Sequence, residues 1–316
     1  MTAAYLVRRL AAILLVLLIV SFTVFAITLI LPGNAAVMIL GEHATEDQLR
    51  ALEQQLGLDR PWYVQYVDWI GNIMRGDWGT SLRLSLPVAG LIGDAFWHSA
   101  LLAATALVTV TVIAIPLGMV AALRRGTAVD LGIGLLAYAG TAMPEFVTAT
   151  LLLVFFAGPG GGILPAGGFV APGESLSGFL LHVILPAATL GLILTAHIAR
   201  QVRSEMSDVL ASDYVRAARL KGLKESVVVR RHALPNSLAP AVAVISLDIG
   251  YLLGGIIVVE EIFAWPGLGR LLVYALENRD LPVIQAVTLV LATVYALSNL
   301  ASDLVIAALD PRVRYA

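Results

Sequence analysis

Residues 8–31 read RRLAAILLVLLIVSFTVFAITLIL, two arginines and then a long, uncharged apolar run from position 10 to position 31. A run of about 20 apolar residues, rising 1.5 Å per residue in a helix, crosses the hydrocarbon core of a bilayer. A cleavable secretory leader has an apolar centre of roughly 7–15 residues and a small-residue cleavage site. This run is longer, and Leu31-Pro32-Gly33-Asn34 follows it, so it reads as a retained first span. The rest of the chain agrees. Of 316 residues, 59% are hydrophobic and 13% charged, against roughly 45–50% and 25% in an ordinary soluble domain. That leaves too little charge to cover a soluble surface, which argues against a soluble enzyme or a nucleic-acid binder. The net charge of -2 and the apolar content exclude a disordered chain.

There is no cysteine, so disulfides, thiolate metal sites and cysteine nucleophiles are excluded, while the redox compartment stays open. Lys221 and Lys224 are the only lysines. No Gly-Lys-Ser/Thr exists to cradle a nucleotide's phosphates. If ATP drives this protein, another chain hydrolyses it.

From position 32 to about 95 the chain is polar and aromatic. Thr45 with Gln48 makes a capping box, Glu46 and Asp47 fill a first turn, Gly57 suits a C-terminal cap and Pro61 a stop. The spacing predicts a short helix over 46–56. Trp62, Tyr63, Tyr66, Trp69 and Trp78 come next, a density that suits a membrane–water interface or a small extramembrane cap with its own core. Five further apolar stretches run over 96–123, 131–156, 179–199, 239–259 and 283–309. The expectation is an all-α polytopic membrane protein with about six spans. It divides into a first span (1–31), an extracytoplasmic cap (32–95), a core with a loop at 200–238 (96–309) and a tail (310–316). Arg8 and Arg9, Arg124 and Arg125, the eight basic residues of 200–231, and Arg312 and Arg314 all fall on one side of six spans. The positive-inside rule makes that side, with both termini, cytoplasmic.

Between the fourth and fifth stretches, residues 213–236 read DYVRAARLKGLKESVVVRRHALPN. Physically this is a short helix, a break at Gly222 and a second short helix ending near Pro235. Tyr214, Ala217, Ala218 and Leu220 make a small apolar face, with Arg216, Arg219 and Lys221 around it. Such an object can seat in a groove on a soluble partner; a basic loop held near anionic lipid would carry the same charge. The spacing resembles the EAA loop of ATP-driven importer permeases, with Arg216 where the name-giving Glu usually sits and His232 where Ile is usual. Those departures resemble the dipeptide/oligopeptide/nickel branch, as do PGNAA at 32–36, QLGLDRPWYVQYVDWI at 55–70, GDWGTS at 76–81, EEIFAWPGLGRLL at 260–272, RDLPVIQ at 279–285 and LDPRVRY at 309–315. The resemblance covers essentially the whole chain and identifies it as the first, B-type, permease of that family.

That resemblance implies a docking site and a set of partners. Asp213, Tyr214, Arg216, Ala217, Ala218, Lys221, Gly222, Leu223, His232 and Pro235 would belong to a coupling loop that docks on an ATPase. The implied partners are a second, homologous permease, two ATPase subunits (or one two-headed ATPase), an extracytoplasmic substrate-binding protein and membrane lipid, with no nucleic acid. ATP and Mg would be bound by the ATPase chains, and this chain would carry no cofactor. Peptides are the expected cargo.

Ionisable residues inside spans are costly and commonly functional. Glu145, behind Met143-Pro144, and Asp248 are candidates to line the pathway and meet a cationic group such as a peptide amino terminus; an interhelical hydrogen bond is the plainer reading. Glu260, in the outer turn after the fifth stretch, is a third pathway candidate, and Asp303 reads as interhelical glue. The five histidines show no ligand spacing. The same acids would suit an ion-gradient-driven carrier, the alternative from another class, but no inverted repeat accompanies them. A non-transporting membrane scaffold is a third possibility.

Overall fold

A computed structural model describes residues 3–30, 45–158 and 162–309. The PGNAA motif, residues 159–161 of the glycine run and the 310–316 tail lie outside them. Among the described residues, four helices are long and apolar enough to cross a membrane: Tyr5–Ile30, Val88–Leu123, Leu176–Ala211 and Leu281–Ala308. In full, α1 is Ala3–Ile30, α2 Glu46–Leu56, α3 Trp62–Met74, α4 Val88–Leu123, α5 Ala128–Ala142, α6 Glu145–Phe156, α7 Leu176–Ala211, α8 Asp213–Leu220, α9 Leu234–Ile262, α10 Leu268–Glu277 and α11 Leu281–Leu309.

The stretch 131–156, expected as one span, is instead a broken pair. α5 and α6 meet at 109°. Pro144 has no N–H and pushes its predecessor out of the helical region; Met143 accordingly sits at φ -97°, ψ 126°. Glu145 therefore opens a half-helix rather than lying mid-span. The pair is a fifth crossing if its halves count as one. The stretch 239–259 falls inside α9, whose 29 residues reach roughly 43 Å at 1.5 Å each. α7 runs three turns past the expected end at position 199, because Val202 and Met206 continue its buried face.

The chain divides into two compact units, one of residues 1–6, 100–265 and 295–316, the other of residues 7–99 and 266–294. In the first, α4 presents Leu102, Ala106, Val110 and Ala114, every fourth residue and each fully buried. They share a core with Val183, Leu190, Leu194, Ile198 and Val202 of α7 and with Leu252 and Ile256 of α9. Lipid tails are as apolar as leucine, so helices here gain by close packing over small residues. Gly140 does this between α5 and α7; a Cβ on it would stand 3.4 Å from Leu192.

In the second unit the aromatic run packs on α1. Tyr66 meets Phe25 at 5.4 Å between ring centroids, and Trp69 stacks on Phe25 at 5.8 Å. Ser21 and Tyr66 share a hydrogen bond of 2.8 Å. The capping box closes both ways, Gln48 N to Thr45 Oγ1 and Thr45 N to Gln48 Oε1, and Gly57 takes φ +69° after α2. GDWGTS and RDLPVIQ, about 200 residues apart in sequence, meet at Asp280. Its buried carboxylate accepts from the Ser81 hydroxyl, from Leu82 N at 3.1 Å and from Arg83 N at 3.4 Å. Two backbone donors and a hydroxyl thus depend on one side chain. Losing an acceptor for buried donors costs about 1–3 kcal/mol. Asp280→Ala is expected to lower the thermal midpoint of the detergent-purified protein, with Asp280→Asn in between; equal midpoints would refute the role given to Asp280.

Candidate functional site: the 213–236 loop and the intramembrane acids

α7 ends at Ala211, and Ser212, extended at φ -67°, ψ 153°, turns the chain into α8. α8 is strongly two-faced. Val215 and Ala218 point inward and form a small core with Val228, against Val209 and Leu210 at the end of α7. Tyr214 is 46% exposed and Leu220 82%, and Ala217 and Lys221 are also exposed. The expected apolar face is thereby corrected: Ala218 is spent on the chain's own core, with Val215, and Leu220 stands apart. The outward face is Tyr214, Ala217 and Lys221, spaced i, i+3, i+7.

Gly222 comes after α8 with φ +76° and no atom within 4 Å of where a Cβ would be. Positive φ is costly for residues with a Cβ. Across this turn the Arg219 guanidinium grips Glu225, Nη2 to Oε1 at 2.7 Å and Nε to Oε2 at 3.1 Å, which holds the Glu225 carboxyl below its usual range. Arg219 also reaches Leu210 O at 3.4 Å. The pair is half exposed, so its net worth is about 0–1 kcal/mol. Arg216 and Asp213, 3.7 Å apart and both exposed, add little.

Beyond Gly222 the structure departs from the expected second helix ending near Pro235. A single turn, Glu225–Val227, leads into a π-helical segment, Val228–Ala233, which continues without a stop into α9. Pro235 sits in α9's first turn. Val229 and Ala233 pack on Met206 and Ala122, and His232 O accepts from Asn236 Nδ2 at 2.7 Å. Leu223 is exposed. The loop is thus a helix seated on the end of α7, a turn at Gly222, and from Glu225 a helical backbone that runs without interruption into α9.

The intramembrane acids come together on α9 through partners that no local pattern announces. Asp248 and Tyr251 lie on one face of α9, with Gly255 one turn on. Tyr251 Oη donates to Glu145 Oε1 at 3.0 Å. Gly255 leaves room: a Cβ there would stand 3.2 Å from that oxygen. Asp248, buried, pairs through Oδ1 with His197 Nδ1 at 3.1 Å, and Oδ2 is buried with no hydrogen-bond partner. Sequence reading found the two acids and missed His197 and Tyr251. The i, i+3 spacing of Asp248 and Tyr251 was the available signal for the latter; His197 is 51 residues away and had none. Glu260 has no exposed surface. Its carbonyl accepts Trp265 N at 2.8 Å, and fully buried Trp265 packs edge-on against Phe169 at 4.9 Å. The outer turn is an inward anchor in this conformation. Beside Asp303, Ser302 donates to Ser246 O.

This arrangement is that of a polytopic membrane subunit with a two-faced loop helix and a polar face inside the membrane segment. Residues 114–315 match the family described as binding-protein-dependent transport system inner membrane component, and residues 2–110 match the N-terminal region of such membrane components. The chain is 39% identical over 311 residues to the glutathione transport system permease protein GsiC of Escherichia coli (strain K12), covering 98% of this chain and 99% of that protein. It is 34% identical, with the same coverage, to the "Probable peptide ABC transporter permease protein y4tP" of Sinorhizobium fredii. A solved amino acid ABC transporter chain aligns at 17% identity with a TM-score of 0.48, over 71% of this chain and 94% of that one. The chain belongs to the binding-protein-dependent transport system inner membrane components. It is a multi-pass membrane permease subunit of an ABC importer, not an enzyme, and this membership decides against the gradient-driven carrier and the scaffold.

The two lysines flank Gly222, so lysyl endoprotease reads this turn alone. Gly222→Val is expected to raise the cleavage rate several-fold, and Gly222→Asn, which tolerates positive φ, to raise it much less. Equal rates for both variants would show that φ at this position does not hold the loop.

Proposed function

We propose that this chain is the first permease of an unlike pair that imports peptides, driven by ATPases that dock on its 214–224 segment. The observation that carries the proposal is the loop's construction. α8 offers Tyr214 and Ala217 outward with Lys221 just past its end, is seated by Val215 and Ala218, and is tied through the short Gly222 turn to the π-helical segment that runs into α9. A partner that moves α8 moves the root of α9, the helix that carries Asp248 and Tyr251. The relatives' printed names, a peptide permease and a glutathione permease, support a peptide cargo.

In this reading the pathway forms between this chain and a second permease. Two ATPase subunits, or one two-headed ATPase, hold ATP and Mg. An extracytoplasmic binding protein delivers the cargo. Both termini and the 200–238 loop are cytoplasmic, as the arginine distribution implies. ATP acts by binding more tightly when the coupling loops are drawn together, and that differential affinity shifts the permease pair between its two openings. Glu145 with Tyr251, and Asp248 with His197, offer carboxylate oxygens to a cationic amine passing along α9.

Co-expression with neighbouring genes and affinity purification in mild detergent should bring a second permease and an ATPase in stoichiometric amounts. Recovery of this chain alone, with those neighbours demonstrably expressed, refutes the assembly. Gly222→Val should reduce the recovered ATPase at least several-fold while membrane insertion is kept. Asp248→Asn should lower uptake of peptides with a free amino terminus while ATPase recovery stays normal; unchanged uptake would remove Asp248 from the pathway.

A further inference from the structure

We infer that a cavity between the start of α5 and the end of α7 is a binding site for an anionic phospholipid, with Arg200 holding its phosphate. The inference rests on the cytoplasmic placement of the 200–238 loop and on nothing about cargo or ATPase.

The cavity measures about 820 Å³, and Thr127, Asp130, Tyr138, Arg200, Arg203 and Ser204 are among its lining residues. Its charges do not cancel. Asp130 is buried, and both its oxygens are taken: Arg203 binds it through Nε and, at 2.7 Å, through Nη2, and Gly126 N donates at 2.9 Å. Arg203 and Asp130 therefore neutralise each other. Arg200 lies over the Tyr138 ring, 5.4 Å from its centroid, and among the described residues no carboxylate pairs with it. The site carries a surplus positive charge, a hydroxyl at Thr127, a hydroxyl at Ser204 and a guanidinium set over a tyrosine ring.

The surroundings say which anion fits. The rim is apolar: Leu131 and Leu135 are 65% and 60% exposed. In water such residues beside a cation would be wasted; at the edge of a bilayer they meet acyl chain. Together with α4, the same two helices carry a second, apolar groove of about 370 Å³, lined among others by Ile113 and Leu117 of α4, Leu136 of α5, and Leu192, Ala196 and Ala199 of α7. Along α7, Leu192, Ala196, Arg200 and Arg203 lie on one face, at steps of 4, 4 and 3 residues. The polar cavity therefore lies at the cytoplasmic end of a surface whose inner part is greasy, the order in which a glycerophospholipid presents its phosphate and its chains. Basic pockets between spans on this side are known to take lipid head groups. A soluble anion would use the arginine and leave the groove unexplained.

The test uses the whole complex, purified in detergent and exchanged against mixed phosphatidylglycerol and phosphatidylcholine, with retained lipid measured by mass spectrometry. The wild type should retain phosphatidylglycerol in preference. Arg200→Gln should lower that preference about fivefold, the ratio that roughly 1 kcal/mol per basic side chain gives, and Arg200→Lys, which keeps the charge and loses the ring contact, should fall between. Arg203 is left alone because its loss would strand buried Asp130. Equal retention of the two lipids by the wild type overturns the inference without any variant. So does an unchanged preference in Arg200→Gln. Displacement of phosphatidylglycerol by millimolar inorganic phosphate would make this a soluble-anion site, and cross-linking of position 135 to a partner subunit would show that protein covers it.

Discussion

A Cβ on Gly118 of α4 would stand 2.6 Å from the carbonyl oxygen of Ala199 and 2.7 Å from the Val202 side chain on α7. Nothing larger than hydrogen fits there, and that approach sets the distance between the two longest helices of the first unit. α7 also meets α5 at Gly140, less tightly, carries the shared core, and at its end seats α8. In a bilayer no hydrophobic gain drives one apolar helix onto another. The positions of α5, α8 and α9 are therefore inherited from how closely α7 can be approached. Arg203, which ties Asp130 of α5 to α7, and His197, which ties Asp248 of α9 to α7, are placed by the same helix.

The prolines show how such packing overrides local preference. Pro116 and Pro186 lie inside continuous helices, while Pro144 breaks one. Pro186 is buried in the body of α7, where neighbouring helices shield the carbonyl it frees. Pro144 comes three residues after Thr141, whose hydroxyl already bonds back to Ala137 O and Tyr138 O, a bond that bends helices. The break leaves an exposed α5 and places Glu145 at the start of α6. Composition and windowed hydropathy see one apolar stretch at 131–156; the proline was visible, but its consequence depended on neighbours that a sequence does not display.

Legibility in the sequence divides along the same line. The capping box at Thr45 and Gln48, the first apolar run and the glycine turn at 222 are governed by residues within a few positions of each other, and they stand where the pattern placed them. The pairing of Asp280 with the 81–83 backbone, and of His197 with Asp248, joins residues tens to hundreds of positions apart, and no periodicity carries that information. The coupling segment lies between the two cases. Its existence was clear, but which alanine faced inward turned on Val215, whose burial needed Val228 from beyond the break.

That inward residue also decides how a force on α8 would travel. The Arg219–Glu225 pair is half exposed and its energy small, so it closes the turn without stiffening it. The Val215–Ala218–Val228 core is three residues deep. Neither could drag a spanning helix alone. The π-helical segment can, because its backbone is one piece with α9 and its buried side, Val229 and Ala233, already grips Met206 of α7. A wide turn of this kind stores an extra residue in the helix and is found at functional positions. Tightening it would rotate α9 relative to α7, and the two acid pairs, one reaching α6 and the other α7, are the contacts that such a rotation would have to break or carry along.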